Sequence, residues 1–95
     1  MLNNFRVFET DRFVQRFNET FGGSDDKMKK KLDGYVYPQL IKNPYFGKNI
    51  KKLKNYNPPT WRYRIGKYRF FYIIDNKTRV ISIMTVSIRG DSYKK

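Results

Sequence analysis

One stretch of this 95-residue chain decides its fold, Trp61-Arg62-Tyr63-Arg64-Ile65-Gly66-Lys67-Tyr68-Arg69-Phe70. Side chains alternate between the two faces of a β-strand, so Arg62 and Arg64 are predicted on one face and their apolar neighbours on the other. Gly66-Lys67 interrupts this alternation, and a two-residue loop that begins with glycine is typical of a type II′ turn. The stretch therefore predicts an antiparallel hairpin that brings Arg69 close to Arg62 and Arg64.

Further strands are predicted on both sides of this hairpin. The three strands of the carboxyl half cover residues 60–65, 68–75 and 79–89, and the last is rich in Ile, Val and Thr, which is typical of a strand inside a sheet. A short apolar run at residues 5–8 predicts one more strand near the amino end. We therefore expect a small, mainly antiparallel sheet of four strands.

Two helices are predicted between the first strand and the rest. Residues 11–21 carry apolar side chains at helical spacing and are followed by Gly22-Gly23, which ends the helix. A second helix is capped by Ser24 or Asp25, and because Pro38 lies inside it, a kink or a break is expected at residues 34–38. The order β-α-α-β-β-β predicts an α+β fold with both helices packed on the sheet. The predicted buried stripe of the second helix is Met28, Leu32, Tyr35, Val36 and Leu40.

The composition is strongly basic. Lys and Arg number 21 against 8 Asp and Glu, a formal net charge of +13, and no acidic residue lies between Asp33 and Asp75. Such a charge attracts polyanions and acidic proteins. The eight Phe, eight Tyr and one Trp provide a large apolar area, so the chain is expected to fold as a single domain over residues 1–95.

Several classes of site are excluded by composition. Without Cys or His there is no disulfide, no thiolate metal site and no imidazole for acid–base chemistry near neutral pH, and no acidic cluster has metal-ligand spacing. We expect no metal and no cofactor. The amino terminus lacks the blocks of a signal peptide, and no apolar stretch approaches the roughly 18 residues of a membrane span. A cytoplasmic protein without a membrane partner is expected.

The pattern favours RNA as the ligand. A guanidinium group carries five donors matched to phosphate oxygens, and aromatic rings can stack on unpaired bases. A long basic connection at residues 45–59, together with the hairpin turn, extends the positive region. Five lysines there are candidate RNA contacts without sequence preference, Lys48, Lys51, Lys52, Lys54 and Lys67.

The order of elements and four short motifs resemble the RelE/ParE toxin superfamily over nearly the whole chain. The motifs are Lys52-Leu53-Lys54-Asn55, Arg62-Tyr63-Arg64, Gly66-Lys67-Tyr68-Arg69 and Val86-Ser87-Ile88-Arg89-Gly90-Asp91-Ser92-Tyr93. The resemblance implies a toxin of a type II toxin–antitoxin pair, held inactive by an acidic antitoxin. In the RelE branch it implies a metal-independent endoribonuclease that cuts mRNA in the ribosomal A site.

By position, the resemblance implies a catalytic set of Arg62, Arg64, Arg69, Arg89 and Tyr93. Arginines suit the neutralisation of charge that builds on a phosphate when the neighbouring ribose 2′-hydroxyl attacks it. An arginine is a poor general base at neutral pH, and Ile88 stands where many relatives have His. The group that removes the proton stays open among Lys52, Lys54, Lys67 and Tyr93.

Other interpretations stay open beside this one. The protein is alternatively a ParE-like inhibitor of DNA gyrase, or a non-catalytic basic module that binds RNA or the ribosome. Arg62 and Arg64 are alternatively the solvated face of an edge strand, where basic residues discourage aggregation. Arg69 is alternatively paired with Asp75 or Asp91, and Arg89 with Asp91.

Overall fold

A computed structural model describes residues 4–22 and 26–88. The predicted cap at Ser24 or Asp25, and the predicted site residues Arg89 and Tyr93, lie outside these ranges. The elements are β1 (Arg6–Glu9), α1 (Asp11–Phe21), α2 (Asp26–Lys31), α3 (Tyr37–Lys42), β2 (Ile50–Lys52), β3 (Trp61–Ile65), β4 (Tyr68–Asp75) and β5 (Val80–Ile88). A π-helical segment, Leu32–Val36, joins α2 to α3.

The strands form one mixed sheet in the order β1-β5-β4-β3-β2. β1 pairs with β5 in parallel, and the other neighbouring strands pair antiparallel. The α+β class is confirmed, but the four-stranded sheet was wrong, because β2 lies within the segment predicted as a connection. Its sequence, Ile50-Lys51-Lys52, has one apolar side chain and two residues that are depleted in strands. The short strand forms at the edge of β3, whose backbone groups offer it hydrogen-bond partners.

The predicted hairpin is present. Ile65 lies opposite Tyr68 across a two-residue turn, and Gly66 has a φ of 57°. The φ of Lys67 is not positive. A positive φ at the first turn residue alone is the pattern of a type II′ turn, whereas a type I′ turn has a positive φ at both residues. A residue with a Cβ is disfavoured at such a first position.

The core lies between the helices and one face of the sheet. Phe13 of α1, Leu32 and Leu40 of the second helical region, and Tyr63 and Tyr72 of the sheet are each at most 1% exposed. Tyr72 adds a buried hydrogen bond, since its hydroxyl donates to the carbonyl oxygen of Pro44 at 2.7 Å. The helices therefore cover the aromatic face of the hairpin and leave the arginines on the other.

The irregularity predicted near Pro38 is the π-helical segment. The backbone N–H of Tyr37 donates to the carbonyl of Leu32, five residues back, and Pro38 follows without an N–H. A wider turn places the fourth and fifth residues after Leu32 on the core side. Val36 and Tyr37 are accordingly buried, whereas Tyr35 is 57% exposed, so the predicted burial of Tyr35 was wrong.

Tyr37 also connects the helical region to β1. Its hydroxyl donates to Glu9 Oε2 at 2.6 Å, and Lys29 Nζ lies 3.3 Å from the same oxygen. Burial, followed by the hydrogen bond to Glu9, raises the pKa of Tyr37 well above its ordinary value. Among the residues that the structure describes, no helix is long and apolar enough to cross a membrane.

Candidate nucleic-acid interface

Three of the predicted site residues lie together on the sheet face that the helices leave uncovered. Arg64 of β3 is directly opposite Arg69 of β4, and Arg62 lies two residues from Arg64 on the same strand. Directly opposite residues of antiparallel strands have Cα atoms about 4.5–5.5 Å apart. We call Arg62, Arg64 and Arg69 the arginine cluster.

The arginine cluster concentrates positive charge in a partly desolvated place. Burial lowers the pKa of Arg62, and the like charges of Arg69 and Arg64 lower it further. The Nε of Arg62 is buried and has no hydrogen-bond partner. A guanidinium nevertheless stays protonated at neutral pH. The cluster is therefore a set of three cations, in which at least the buried Nε of Arg62 is a donor without a partner among the described residues.

No carboxylate in residues 4–22 and 26–88 pairs with the arginine cluster; the ion pairs found there join Arg16 to Glu19, and Lys29 to Glu9 and Asp33. Asp75 instead accepts hydrogen bonds from the backbone N–H groups of Lys77 and Thr78 at 2.9 and 3.2 Å. Both bonds lower the pKa of Asp75, and the bond from Thr78 has the larger effect. The alternative pairing of Arg69 with Asp75 was thus wrong, and Asp91 lies outside the described residues.

Two residues beside the cluster were missed by the sequence analysis. Phe71 lies opposite Arg62 and is 2% exposed, although it is not part of the core on the helix side. Ser87 lies opposite Arg69, is 4% exposed, and has a buried Oγ without a hydrogen-bond partner. The alternation Val86-Ser87-Ile88 is the sequence signal that assigns Ser87 to this face.

The candidate lysines are distributed around β2 and the hairpin turn. Lys51 lies opposite Arg62 and shares its face. Lys52 lies opposite Trp61, and its Nζ is 5.8 Å from the centroid of that ring. Lys67 Nζ is 5.7 Å from the ring centroid of Tyr68, and Lys48 and Lys54 are exposed on either side of β2. Of the five, the strand register places Lys51 beside the cluster.

The arrangement is suited to binding a phosphate group. Three guanidinium groups can donate to its oxygens and neutralise additional charge on it. No group of three or more Asp, Glu, His or Cys residues in the described ranges could hold a metal ion. The chemistry offered by these residues is electrostatic stabilisation and positioning.

Comparison with known proteins identifies the family. The sequence profile of the ParE toxin of type II toxin–antitoxin systems, parDE, matches residues 9–93. The chain belongs to this toxin family. The resemblance to the RelE/ParE superfamily is thereby confirmed. No curated protein sequence matches the toxin.

Solved structures share the fold of the toxin at low sequence identity. The RelBE2 toxin–antitoxin complex of Mycobacterium tuberculosis contains a chain with a TM-score of 0.71 and 20% identity, covering 90% of the toxin and 99% of that chain. The archaeal RelE–RelB complex of Pyrococcus horikoshii OT3 gives 0.70 and 23%, covering 94% and 99%. A mutant of the E. coli toxin RelE in the free state gives 0.63 and 17%, covering 95% and 87%.

Proposed function

We propose that this toxin is a ribosome-dependent endoribonuclease that cleaves mRNA without a metal ion. The observation that supports this activity is the arginine cluster, in which three cations from two adjacent strands share one face and have no carboxylate partner in the described part of the chain. Such a concentration of charge destabilises a free protein unless an anion binds to it.

In the proposed reaction the ribose 2′-hydroxyl attacks the adjacent phosphate. A bond forms between the 2′-oxygen and phosphorus, and the bond from phosphorus to the 5′-oxygen of the next nucleotide breaks. The products are a 2′,3′-cyclic phosphate and a free 5′-hydroxyl, with one proton leaving the nucleophile and one reaching the leaving group. Arg62, Arg64 and Arg69 hold the phosphate and neutralise the charge that builds on its oxygens.

The proposal includes two residues beyond the described ranges. Arg89 and Tyr93 enter it through their positions in the family motif, Arg89 as a further cation at the phosphate and Tyr93 as a contact to a nucleotide. The proton acceptor is left unassigned, since the arginines stay protonated at neutral pH. Lys51 is the lysine that the strand register brings closest to Arg62, and with the other four lysines it extends the RNA-binding surface.

The proposed partners follow from the charge and the relatives. The structures from M. tuberculosis and P. horikoshii are toxin–antitoxin complexes. We propose that an acidic antitoxin covers the basic surface of this toxin and holds it inactive in the cytoplasm. When the toxin is released, mRNA and ribosomal RNA take its place at this surface.

Cleavage on programmed ribosomes tests the proposed activity. Purified toxin is added to ribosomes that carry an mRNA with an empty A site, and the cleavage positions and end groups are mapped. We expect cuts within the A-site codon that leave a 2′,3′-cyclic phosphate. The absence of cuts by a toxin whose fold is intact by circular dichroism would contradict the proposal.

Inhibition of DNA gyrase is the second candidate, and the match to the ParE family profile favours it. In that case the toxin blocks supercoiling by binding gyrase, and the arginine cluster need not touch a scissile phosphate. A supercoiling assay with purified gyrase distinguishes the two activities. A toxin that neither cuts mRNA nor inhibits gyrase but still binds ribosomes would be a non-catalytic RNA-binding module.

A further inference from the structure

A cavity of about 450 Å³ lies at the edge of β3 and shares Arg64 with the arginine cluster. The last strand pair between β2 and β3 is Ile50 with Tyr63, and the backbone N–H of Arg64 donates to the carbonyl of Asn49 at 3.0 Å, so β2 stops short of the hairpin turn. Lys31, Tyr35, Asn49, Tyr63 and Arg64 line the cavity, with the turn itself at one end. The volume is within the usual range for small-molecule sites.

Polar groups converge on the inner wall of this cavity. The hydroxyl of Tyr63 is buried and donates to Gln39 Oε1 at 2.7 Å. Burial raises the pKa of Tyr63. Tyr35 and Asn49 line the same cavity as Tyr63, so three side chains with hydrogen-bonding groups surround it.

The outer wall of the cavity is aromatic and basic. Tyr35 is 57% exposed, because the π-helical segment turns it away from the core. An exposed tyrosine ring gives a flat surface on which a base can stack. Lys31 and Arg64 are exposed cations, and none of the described residues that line the cavity is acidic. The tyrosine ring suits the face of a base, the polar side chains suit its edge, and the cations suit the phosphate of a nucleotide.

Arg64 belongs both to this cavity and to the arginine cluster. The cavity is lined from the helix side of β3 and meets the cluster at Arg64, so an RNA strand that passes around this edge can place a phosphate on the cluster and a neighbouring base in the cavity. Recognition of unpaired RNA combines stacking on aromatic side chains with hydrogen bonds to the base edge. The side-chain amide of Asn49 carries both a donor and an acceptor for such an edge.

We propose that this cavity binds an unpaired base of the RNA whose phosphate lies on the arginine cluster, with Tyr35 stacking on the base and Asn49 contacting its edge. The inference rests on the proposed function, and it adds a residue set that favours some nucleotides over others near the cleaved bond. An acidic peptide is the other kind of occupant with suitable charge. It would use the cations but would leave the stacking surface and the polar inner wall without a specific role.

Nuclear magnetic resonance titration of the full-length, isotope-labelled toxin tests the proposal. The probes are the four nucleoside 5′-monophosphates, inorganic phosphate and a short poly-glutamate peptide. We expect the nucleotides to shift the signals of Tyr35 and of the Asn49 side chain, and inorganic phosphate to shift the arginine signals alone. Tyr35→Ala should weaken nucleotide binding by about tenfold or more, and Tyr35→Phe should retain it. Neither variant should change the affinity for inorganic phosphate.

The outcomes separate this inference from the nuclease proposal. Nucleotides that shift only the signals that inorganic phosphate shifts, or that bind Tyr35→Ala as well as wild type, overturn the base site even if the toxin cuts mRNA. A poly-glutamate peptide that shifts Tyr35 and Asn49 when the nucleotides do not would make the cavity a protein contact and also overturn it. Nucleotide binding at Tyr35 by a toxin that cuts no mRNA supports the base site and overturns the nuclease proposal.

Discussion

Arg64 and Arg69 face each other across β3 and β4, so that two like charges occupy one cross-strand pair. Like charges directly opposite each other are destabilising, by about 0.2–1 kcal/mol for such a pair. Arg62 adds a third cation, whose pKa is lowered first by burial and then by the like charges of Arg69 and Arg64. The free toxin thus carries an electrostatic cost that a bound anion removes, and this property can be measured without knowledge of the substrate.

Arg64→Thr is expected to stabilise the free toxin. Threonine is a good strand residue, and the exchange removes the like charge opposite Arg69. A gain of up to about 1 kcal/mol should raise the midpoint of thermal unfolding by roughly 4–8 °C in a domain of this size. Arg6→Thr is the matched control, because Arg6 is an exposed strand residue opposite the uncharged Val80. Equal shifts in the two variants would contradict the account of the pair.

Arg69→Ala is expected to slow mRNA cleavage on the ribosome by about 10²–10³-fold. This decrease in rate is typical for the loss of one preorganised hydrogen-bond donor to a charged transition state. Lys77→Ala removes the same charge from an exposed turn at the other end of β4 and keeps the backbone N–H that Asp75 accepts. The single-turnover cleavage rates of Arg69→Ala and Lys77→Ala should therefore differ by about 10²–10³-fold. Similar rates would show that net charge, rather than the cluster, determines activity.

Two glycines allow the conformation of the hairpin turn to be tested. A Cβ at Gly66 or at Gly34 would meet no atom within 4 Å, but Gly66 has a φ of 57° and Gly34 lies in the π-helical segment. Gly66→Ala should lower the free energy of unfolding by about 1–2 kcal/mol, since an L-residue is strained there. Gly34→Ala should raise it by about 0.5–1 kcal/mol. Urea unfolding measures both changes, and a destabilising Gly34→Ala would contradict this reading of the segment.

The stability of the toxin should fall above about pH 10, where the tyrosines of the unfolded chain ionise. The raised pKa values of Tyr37 and Tyr72 mean that the folded state keeps protons that the unfolded state loses. Their contribution is therefore complete below pH 10 and is lost as the pH rises further. Tyr37→Phe should make the decline between roughly pH 10 and 12 shallower, as measured by urea unfolding at each pH.

The control for this alkaline effect is Phe8→Leu. Phe8 is an exposed aromatic residue of β1, next to Glu9 in the chain, and carries no titratable group. Its exchange should leave the slope of stability against pH as in wild type. A wild-type slope in Tyr37→Phe would contradict the prediction that the raised pKa of Tyr37 contributes to the alkaline decline.

The hairpin and the arginine face follow from local sequence, and this explains why they could be predicted. A strand alternates its side chains, and Gly66 specifies the turn, so Trp61 to Phe70 contains the information for the pairing of Arg64 with Arg69. The predicted irregularity near Pro38 has the same origin, because proline lacks a backbone donor.

The features that were missed depend on partners far along the chain. β2 exists because the edge of β3 is available to pair with it, and its own residues favour a loop. Tyr35 fits the apolar spacing of a regular α-helix, but the π-helical segment turns Val36 and Tyr37 toward the core instead. The apolar pattern of a sequence does not reveal one extra residue in a helical turn. The cavity joins residues from three regions, so no local motif indicates it.

The proposed reaction requires the 2′-hydroxyl of the nucleotide at the cut, and one substitution in the RNA tests this most directly. Two mRNAs are compared on programmed ribosomes, one all-ribose and one with a single 2′-deoxynucleotide at the mapped cleavage position. We expect the first to be cut to a 2′,3′-cyclic phosphate and the second to remain intact. Equal cleavage of both, or cleavage of neither, would contradict the account.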